Sequence, residues 1–271
     1  MARLAALTLA ILLASSPSVT LASAPSPAAQ ALVPAEEARE LGWQIVSRRP
    51  HDASAWTQGL QFDSRRRLFE STGLYGRSSL REVDPLSGEV LRSTFLPEAE
   101  FGEGLAVVGD RLIQLTWKEG LATAWDLSTF EALETFSYEG QGWGLCHDGA
   151  RLVMSDGSDT LTFRDADTFE VMGRVAVTLD GAPVTRLNEL ECVDGSVWAN
   201  VWLTDHIVRI DPKEGVVTGI LDLADLVHEQ QRRGGDVLNG IAFDEDAGTY
   251  LVAGKLWSEM YEIRINDPMS R

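Results

Sequence analysis

The sequence predicts an all-β fold, because one strand-rich pattern recurs five times along most of the chain. Each copy has a polar or aromatic residue, usually a small residue next, then an aliphatic residue, a short alternating strand and an Asp/Gly turn. The second position of each copy serves as a marker and is occupied by Gly59, Gly104, Gly144, Glu189 and Gly240. The markers are 45, 40, 45 and 51 residues apart, and four short strands at such a period are typical of a propeller blade. The sequence therefore predicts a five-bladed β-propeller.

The two ends of the chain predict how the ring closes. The last repeat ends near Ile265, one strand short, and residues 43–47 can supply the missing strand. A propeller closed by strands from both termini avoids an open sheet edge. The one helical segment that we expect, residues 222–233, is an insertion that explains the longest step between markers.

The N-terminus has the pattern of an export signal. A short basic start is followed by an apolar run from Leu4 to Ala14 and then by small residues. We predict a signal peptide at residues 1–24, with a site at residues 29–31 as the alternative for cleavage, a linker at 25–42 and a catalytic propeller domain at 43–271. The protein is thus expected to be periplasmic or secreted.

Charge and cysteine content limit the partners. A formal net charge of −18 disfavours nucleic acid and anionic membrane surfaces, both of which select Lys and Arg. We expect that the protein does not associate with a membrane after signal cleavage and that it is a monomer.

Cys146 and Cys192 lie at equivalent positions of successive repeats, and we interpret them as two small buried hydrophobic residues in preference to a disulfide.

The repeat also predicts which side chains meet at one mouth of the central channel. The first strand of each blade lines the channel, so the residues at the repeat heads point toward the axis. The heads are Gln58, Glu103, Trp143, Asn188 and Asn239. The ends of the second strands add Trp117, Trp202, Lys255 and Trp257. We assign Trp125 and Trp198 to packing between blades.

Glu103 is the strongest catalytic candidate at this mouth. It is the one carboxylate among the repeat heads, and aromatic walls should raise its pKa by desolvation. The four histidines lack the spacing of a zinc site, neither cysteine has a plausible base beside it, and no EF-hand calcium loop is present.

Eight short motifs occur in order along the chain: WTQGL (56–60), STGLYGRSSL (71–80), FGEGL (101–105), QLTWKEG (114–120), GWGL (142–145), LNELE (187–191), NVW (200–202) and LNGIA (238–242). Together they resemble the plant and bacterial type of glutaminyl-peptide cyclotransferase. The resemblance implies a five-bladed propeller that converts the N-terminal Gln of peptides to pyroglutamate and releases ammonia. It implies that Glu103 is the acid/base residue and that the pocket is lined by Gln58, Phe101, Trp117, Trp143, Asn188, Trp202 and Lys255. This chain departs from the family at Trp56, usually Phe, and at Cys192, often aromatic.

The chemistry that the resemblance implies needs no cofactor, although adventitious or structural Ca²⁺ is compatible with it. The substrate's own amine attacks its side-chain amide, and Asn188, Gln58, an indole N–H or Lys255 could hold the oxyanion. One alternative is a Ca²⁺-dependent, lactonase-like hydrolase that recruits Glu103, Asn188 and Asn239. Another is a non-catalytic binding propeller, since a fold alone does not determine function.

Overall fold

The computed structural model describes residues 38–266. The predicted signal peptide, most of the predicted linker and residues 267–271 lie outside the described residues. Within residues 38–266, no helix has the length and apolar character needed to cross a membrane.

Residues 38–266 form five mainly antiparallel sheets and one helix. The chain begins with β1 (Arg39–Glu40) and β2 (Gly42–Pro50), which join sheets built from later strands. Sheet I contains β3 (Thr57–Phe62), β4 (Leu68–Thr72), β5 (Ser79–Val83) and β6 (Val90–Phe95). Sheet II contains β7 (Gly102–Val108), β8 (Arg111–Thr116), β9 (Leu121–Asp126) and β10 (Ala132–Ser137). Sheet III contains β11 (Leu145–His147), β12 (Leu152–Met154), β13 (Thr160–Arg164) and β14 (Val171–Ala176).

The remaining two sheets contain repeat strands together with strands that lie outside the repeat, among them β1 and β2. Sheet IV has seven strands: β1, β15 (Thr178–Leu179), β16 (Ala182–Pro183), β17 (Leu187–Val193), β18 (Ser196–Val201), β19 (His206–Asp211) and β20 (Val216–Asp222). Sheet V contains β21 (Leu238–Asp244), β22 (Thr249–Gly254), β23 (Glu259–Asn266) and β2. The helix α1 (Ala224–Gln231) follows β20 and lies within the predicted helical segment.

The innermost strands of the five sheets are β3, β7, β11, β17 and β21, called the first strands below, and they are more buried than the outermost strands. The inner strand β7 is buried over its first five residues, whereas the outer strands β6, β10 and β14 are mostly exposed. Apolar side chains of neighbouring sheets pack together between them: Trp125 of sheet II lies with Phe69 of sheet I, and Trp198 of sheet IV lies with Tyr250 of sheet V. The packing role predicted for both tryptophans is confirmed.

The first strands of the sheets contact one another in a closed series. β3 contacts β7, β7 contacts β11, β11 contacts β17, β17 contacts β21, and β21 contacts β3. Two markers are glycine because the strands approach so closely: a Cβ on Gly59 would lie 2.8 Å from the Leu105 nitrogen, and one on Gly104 would lie 2.6 Å from the Leu145 nitrogen. The prediction of an all-β propeller is confirmed.

Glu189 occupies the one marker position that is not glycine. Its Oε1 accepts a hydrogen bond from the Leu60 nitrogen at 3.2 Å, and its Oε2 accepts one from the Ile241 nitrogen at 2.8 Å. The side chain thus joins β17 to β3 and β21 across the centre of the ring. Desolvation, with Glu191 nearby, raises the pKa of Glu189 well above its ordinary range.

The N-terminal strands complete two sheets. β2 pairs antiparallel with β23, with Trp43 opposite Ile265, so the predicted closure by both ends of the chain is observed. The predicted linker extends too far, however, because β1 pairs with β20 and Leu41 is buried against Gly219. Residues 39–42 therefore belong to the folded domain, because the buried side chain of Leu41 anchors them in the core.

The two cysteines are bonded to each other, so the expectation of two unpaired hydrophobic residues was wrong. Cys146 lies on β11 and Cys192 on β17, which are neighbouring first strands. Equivalent positions on adjacent strands bring their Cα atoms to 5.5 Å, within the range that a disulfide spans. The bond ties sheet III to sheet IV at the channel.

Removing this disulfide should destabilise the fold without changing it. We expect the Cys146→Ala/Cys192→Ala variant to lose about 2–4 kcal/mol of the free energy of unfolding, because the unfolded chain regains the entropy of an open loop. Urea unfolding of the oxidised protein and of the variant measures this difference. A reductant should weaken the natural protein and leave the variant unchanged; equal stability of the two oxidised proteins would contradict the assignment.

Candidate active site

A cavity of about 260 Å³ opens at the end of the ring where the first strands begin. It is lined by Trp56, Gln58, Leu74, Phe101, Glu103, Trp117, Trp143, Asn188, Trp202 and Lys255. All eight side chains that the sequence analysis assigned to the site therefore line one cavity. Trp56 and Leu74 complete its wall.

Two residues that were expected at this mouth do not line the cavity. Asn239 lies behind Gln58, where its Nδ2 donates to Gln58 Oε1 at 2.9 Å and to the Thr57 carbonyl at 3.0 Å. Trp257 was wrongly placed: it is fully buried, and its Nε1 donates to the Asp236 carbonyl at 2.9 Å. Gly235 and Gly254 leave the space into which its indole turns.

Glu103 lies on the first strand of sheet II and is 4% exposed. Gln58 Nε2 donates a hydrogen bond to its Oε1 at 2.8 Å. Desolvation raises the pKa of Glu103 well above its ordinary range, whereas the Lys255 ammonium and the Gln58 hydrogen bond lower it and Glu119 raises it further. Burial prevails, so the carboxyl group keeps its proton to a higher pH than an exposed glutamate does.

Lys255 supplies the positive charge of the site. It is 5% exposed, and its Nζ lies 5.4 Å from the centroid of the Trp56 ring, within cation–π range. Desolvation lowers the pKa of Lys255, while the carboxylates of Glu103 and Asp236 raise it. Lys255 and Glu103 are therefore a buried pair in which each group favours the charged form of the other.

The orientation of the Gln58 amide follows from its neighbours. Because Asn239 Nδ2 donates to Gln58 Oε1, the Nε2 of Gln58 faces Glu103. The relay starts on β21 and ends on β7, so three sheets set the position of one catalytic candidate.

Gln141, which the sequence analysis did not single out, organises two of the aromatic walls. Its Oε1 accepts hydrogen bonds from Trp117 Nε1 at 2.7 Å and from Trp143 Nε1 at 3.0 Å. Trp117 packs edge-on against Phe101, and Trp143 packs edge-on against Trp202. Both indole N–H groups thus already have an acceptor. In the sequence, the glycines at positions 140, 142 and 144 around Gln141 and Trp143 could have indicated a closely packed backbone segment at this wall.

A short loop after β4 forms the outer wall. Tyr75 is half exposed, its hydroxyl donates to Glu119 Oε1 at 2.8 Å, and its ring packs edge-on against Phe101. Leu74 adopts a φ of 91°, a left-handed conformation that points to a constrained turn. Gly73 is required beneath it, since the Phe101 ring occupies the place of a Cβ. The flanking glycines, within the stretch 71–80 that resembles the family, were the sequence signal for this loop.

Asn188 contributes an unused acceptor. It is 3% exposed, and its Oδ1 is buried without a hydrogen-bond partner. A buried polar atom that lines a cavity in this state favours a ligand that brings an N–H or O–H donor. Within residues 38–266, no group of three or more His, Cys, Asp or Glu side chains is arranged to hold a metal ion.

Comparisons with known proteins agree with this arrangement. The family model described as glutamine cyclotransferase matches residues 14–265. A glutaminyl-peptide cyclotransferase of Arabidopsis thaliana is 41% identical over 232 residues, which are 84% of this chain and 72% of that protein. The crystal structure of the glutaminyl cyclase of Myxococcus xanthus superposes with a TM-score of 0.80 at 38% identity, covering 85% of this chain and 99% of that one. The chain therefore belongs to the glutamine cyclotransferase family.

Proposed function

We propose that this protein is a glutaminyl-peptide cyclotransferase, which converts the N-terminal Gln of peptides to pyroglutamate and releases ammonia. The observation that carries the proposal is the single carboxylate of the cavity, Glu103, buried among aromatic side chains with a raised pKa. Membership of the family and the names of the two relatives support it.

We also propose that the five sheets are five blades of one ring. Four sheets have four strands each, and the seven-stranded sheet IV contains the same four-strand unit, β17 to β20, with β1, β15 and β16 added at its outer edge. The contact series of the first strands, which runs through all five sheets and returns to β3, supports this count.

The reaction needs one nucleophile, which the substrate carries. The α-amine attacks the γ-carboxamide carbon, a new C–N bond closes the five-membered ring, and the bond to the departing nitrogen breaks. In this proposal Glu103 accepts the proton that the amine loses and delivers it to the departing nitrogen, which leaves as ammonia. A carboxyl group whose pKa lies nearer neutrality suits both transfers.

Positioning supplies the rest of the rate enhancement. The aromatic walls enclose the Gln side chain and exclude water, which favours the folded conformation that cyclisation requires. Asn188 Oδ1 is placed to accept an N–H of the substrate. Gln58 Nε2 donates to Glu103, and the indoles of Trp117 and Trp143 donate to Gln141. We therefore assign the oxyanion to Lys255, to the amide of Asn188 or to the indole N–H of Trp202.

We also propose a compartment, an oligomeric state and a substrate class for the enzyme. We expect an exported, monomeric protein that acts on peptides and proteins with N-terminal Gln and requires no cofactor. The disulfide supports an oxidising compartment. The net charge of −18 supports electrostatic attraction of cationic peptide N-termini over nucleic acid or anionic membranes.

Replacing Glu103 tests the catalytic assignment. Glu103→Gln keeps the shape of the side chain but cannot transfer the proton, so we expect kcat for a Gln-initiated dipeptide to fall about 10²–10⁴-fold. Ammonia release from Gln-initiated and Asn-initiated dipeptides measures it, and only the Gln peptide should react in the unchanged enzyme.

Glu191→Gln is the matched control for this experiment. Glu191 is also buried on a first strand, and burial raises its pKa to about 8, but it lies outside the cavity. We expect this variant to keep its activity. Near-normal turnover by Glu103→Gln would contradict the proposed function, and loss of activity in a chelator would instead favour the Ca²⁺-dependent hydrolase.

Lys255 should control the acidic side of the pH profile. The ammonium lowers the pKa of Glu103, so Lys255→Met should raise that pKa further. The acidic limb of kcat/KM, which follows ionisation of Glu103 in the free enzyme, should then shift to higher pH. Lys213→Met, at an exposed lysine outside the cavity, should leave the limb in place. An unchanged acidic limb in Lys255→Met would show that the two groups are not coupled, and a shift to lower pH would contradict the predicted sign of the coupling.

A further inference from the structure

We propose that the buried pair His51–Glu70, which lies outside the cavity, is a positioning device that holds Lys255, Trp56 and Gln58 in place for the reaction. The inference rests on the proposed function for its kinetic consequences. Its structural part rests on the contacts of residues 51–58, 70 and 255–258 alone.

Both ring nitrogens of His51 face acceptors. Nδ1 lies 2.9 Å from the Trp257 carbonyl oxygen, and Nε2 lies 3.0 Å from Glu70 Oε1. A backbone carbonyl can only accept, so Nδ1 carries a hydrogen, and a second hydrogen must lie between Nε2 and the carboxyl oxygen. The pair therefore holds one proton more than a neutral imidazole beside a carboxylate, which corresponds to an imidazolium that donates in both directions. Both side chains are 1% exposed, so the pair is closed to water.

One arm of the pair holds the segment that carries Lys255. The Trp257 carbonyl accepts a hydrogen bond from the His51 ring. Two backbone hydrogen bonds lie beside it: the backbone nitrogen of His51 donates to the Ser258 carbonyl at 3.0 Å, and that of Leu256 donates to the Ala55 carbonyl at 2.7 Å. These three bonds flank the turn that begins at Lys255. A displaced turn would move the Lys255 ammonium away from Trp56 and Glu103.

The other arm reaches the strand that carries Gln58. Thr57 Oγ1 donates to Glu70 Oε1 at 2.8 Å, and Thr57 directly precedes Gln58 at the head of β3. Glu70 Oε1 therefore accepts hydrogen bonds from both the His51 ring and the Thr57 hydroxyl. In this way, one buried carboxyl group fixes the relative position of the Gln58 amide, which donates to Glu103, and the Lys255 ammonium.

The charge environment determines the sign of the pH dependence. The charged groups that face the pair are Arg81, whose Nη1 lies 3.7 Å from Glu70 Oε2, and Asp52, which is paired with Arg81 at 2.8 Å. Burial opposes charge on both partners, but Glu70 raises the pKa of His51 and His51 lowers that of Glu70. The pair is thus complete below the raised pKa of His51 and is lost as the pH rises through it. It is also lost when the pH falls through the lowered pKa of Glu70.

The test compares His51→Gln, Glu70→Gln and the double variant in kcat, KM and their pH profiles. Each single variant should lower kcat/KM about 10–100-fold, as expected when a catalytic group is misplaced by about 1 Å. Each should also lose the alkaline limb that His51 contributes. The double variant should fall no further than either single one, because the two residues act as a unit. His206→Gln, the same change at an exposed histidine of β19, should behave as the unchanged enzyme.

Two measurements without turnover keep the proposal independent of the reaction. The ¹⁵N shifts of the His51 ring should show an imidazolium at neutral pH, and amide hydrogen exchange at Leu256 should accelerate in His51→Gln. A neutral His51 ring at pH 7, or folded variants with the natural pH profile and unchanged Leu256 exchange, would overturn the proposal. Inactive unchanged enzyme together with a charged His51 ring would instead refute only the proposed function.

Discussion

The structure depends on the close approach of the first strands around one axis. Gly59 and Gly104 permit it because no Cβ fits between neighbouring backbones. Glu189 replaces the marker glycine in sheet IV and uses its two oxygens to satisfy backbone N–H groups of β3 and β21. The residues that precede the markers are thereby gathered at one mouth, although they are separated by 40 residues or more in the chain. The cavity is a consequence of the ring.

The proton affinity of the site follows from the burial of charged and polar side chains at this mouth. An isolated buried carboxylate is costly, and Glu103 is tolerated because Gln58 and Lys255 partly offset its desolvation. The same groups are held by others further from the cavity, Asn239 for Gln58 and the His51–Glu70 pair for both segments. The polar network thus reaches from the cavity into sheets I and V.

The repeat in the sequence was sufficient to predict the sheets, the closure by β2 and most of the side chains that line the cavity. Phe101 followed only from the family resemblance, and Trp56 and Leu74 were not assigned to the cavity. Alignment of the copies works for the first strands because equivalent positions occupy equivalent places around the axis. It fails where the position of a side chain is determined by contacts with residues outside the repeat pattern. Trp257 turns inward over two glycines, Gln141 acts through contacts with two distant indoles, and Leu74 depends on a constrained loop. The disulfide did not follow from the equivalent positions of Cys146 and Cys192, because a repeat in the sequence does not give the Cα distance between adjacent first strands.

Catalysis as proposed here depends on a desolvated Glu103 carboxyl group that transfers the proton from the attacking amine to the departing nitrogen. Its titration can be followed directly in protein labelled with ¹³C at the glutamate carboxyl carbons, with Glu103→Gln used to assign the signal. We expect a midpoint well above the ordinary range of a glutamate, and a further rise in Lys255→Met. A Glu103 signal that titrates at the value of an exposed glutamate would contradict this role for Glu103.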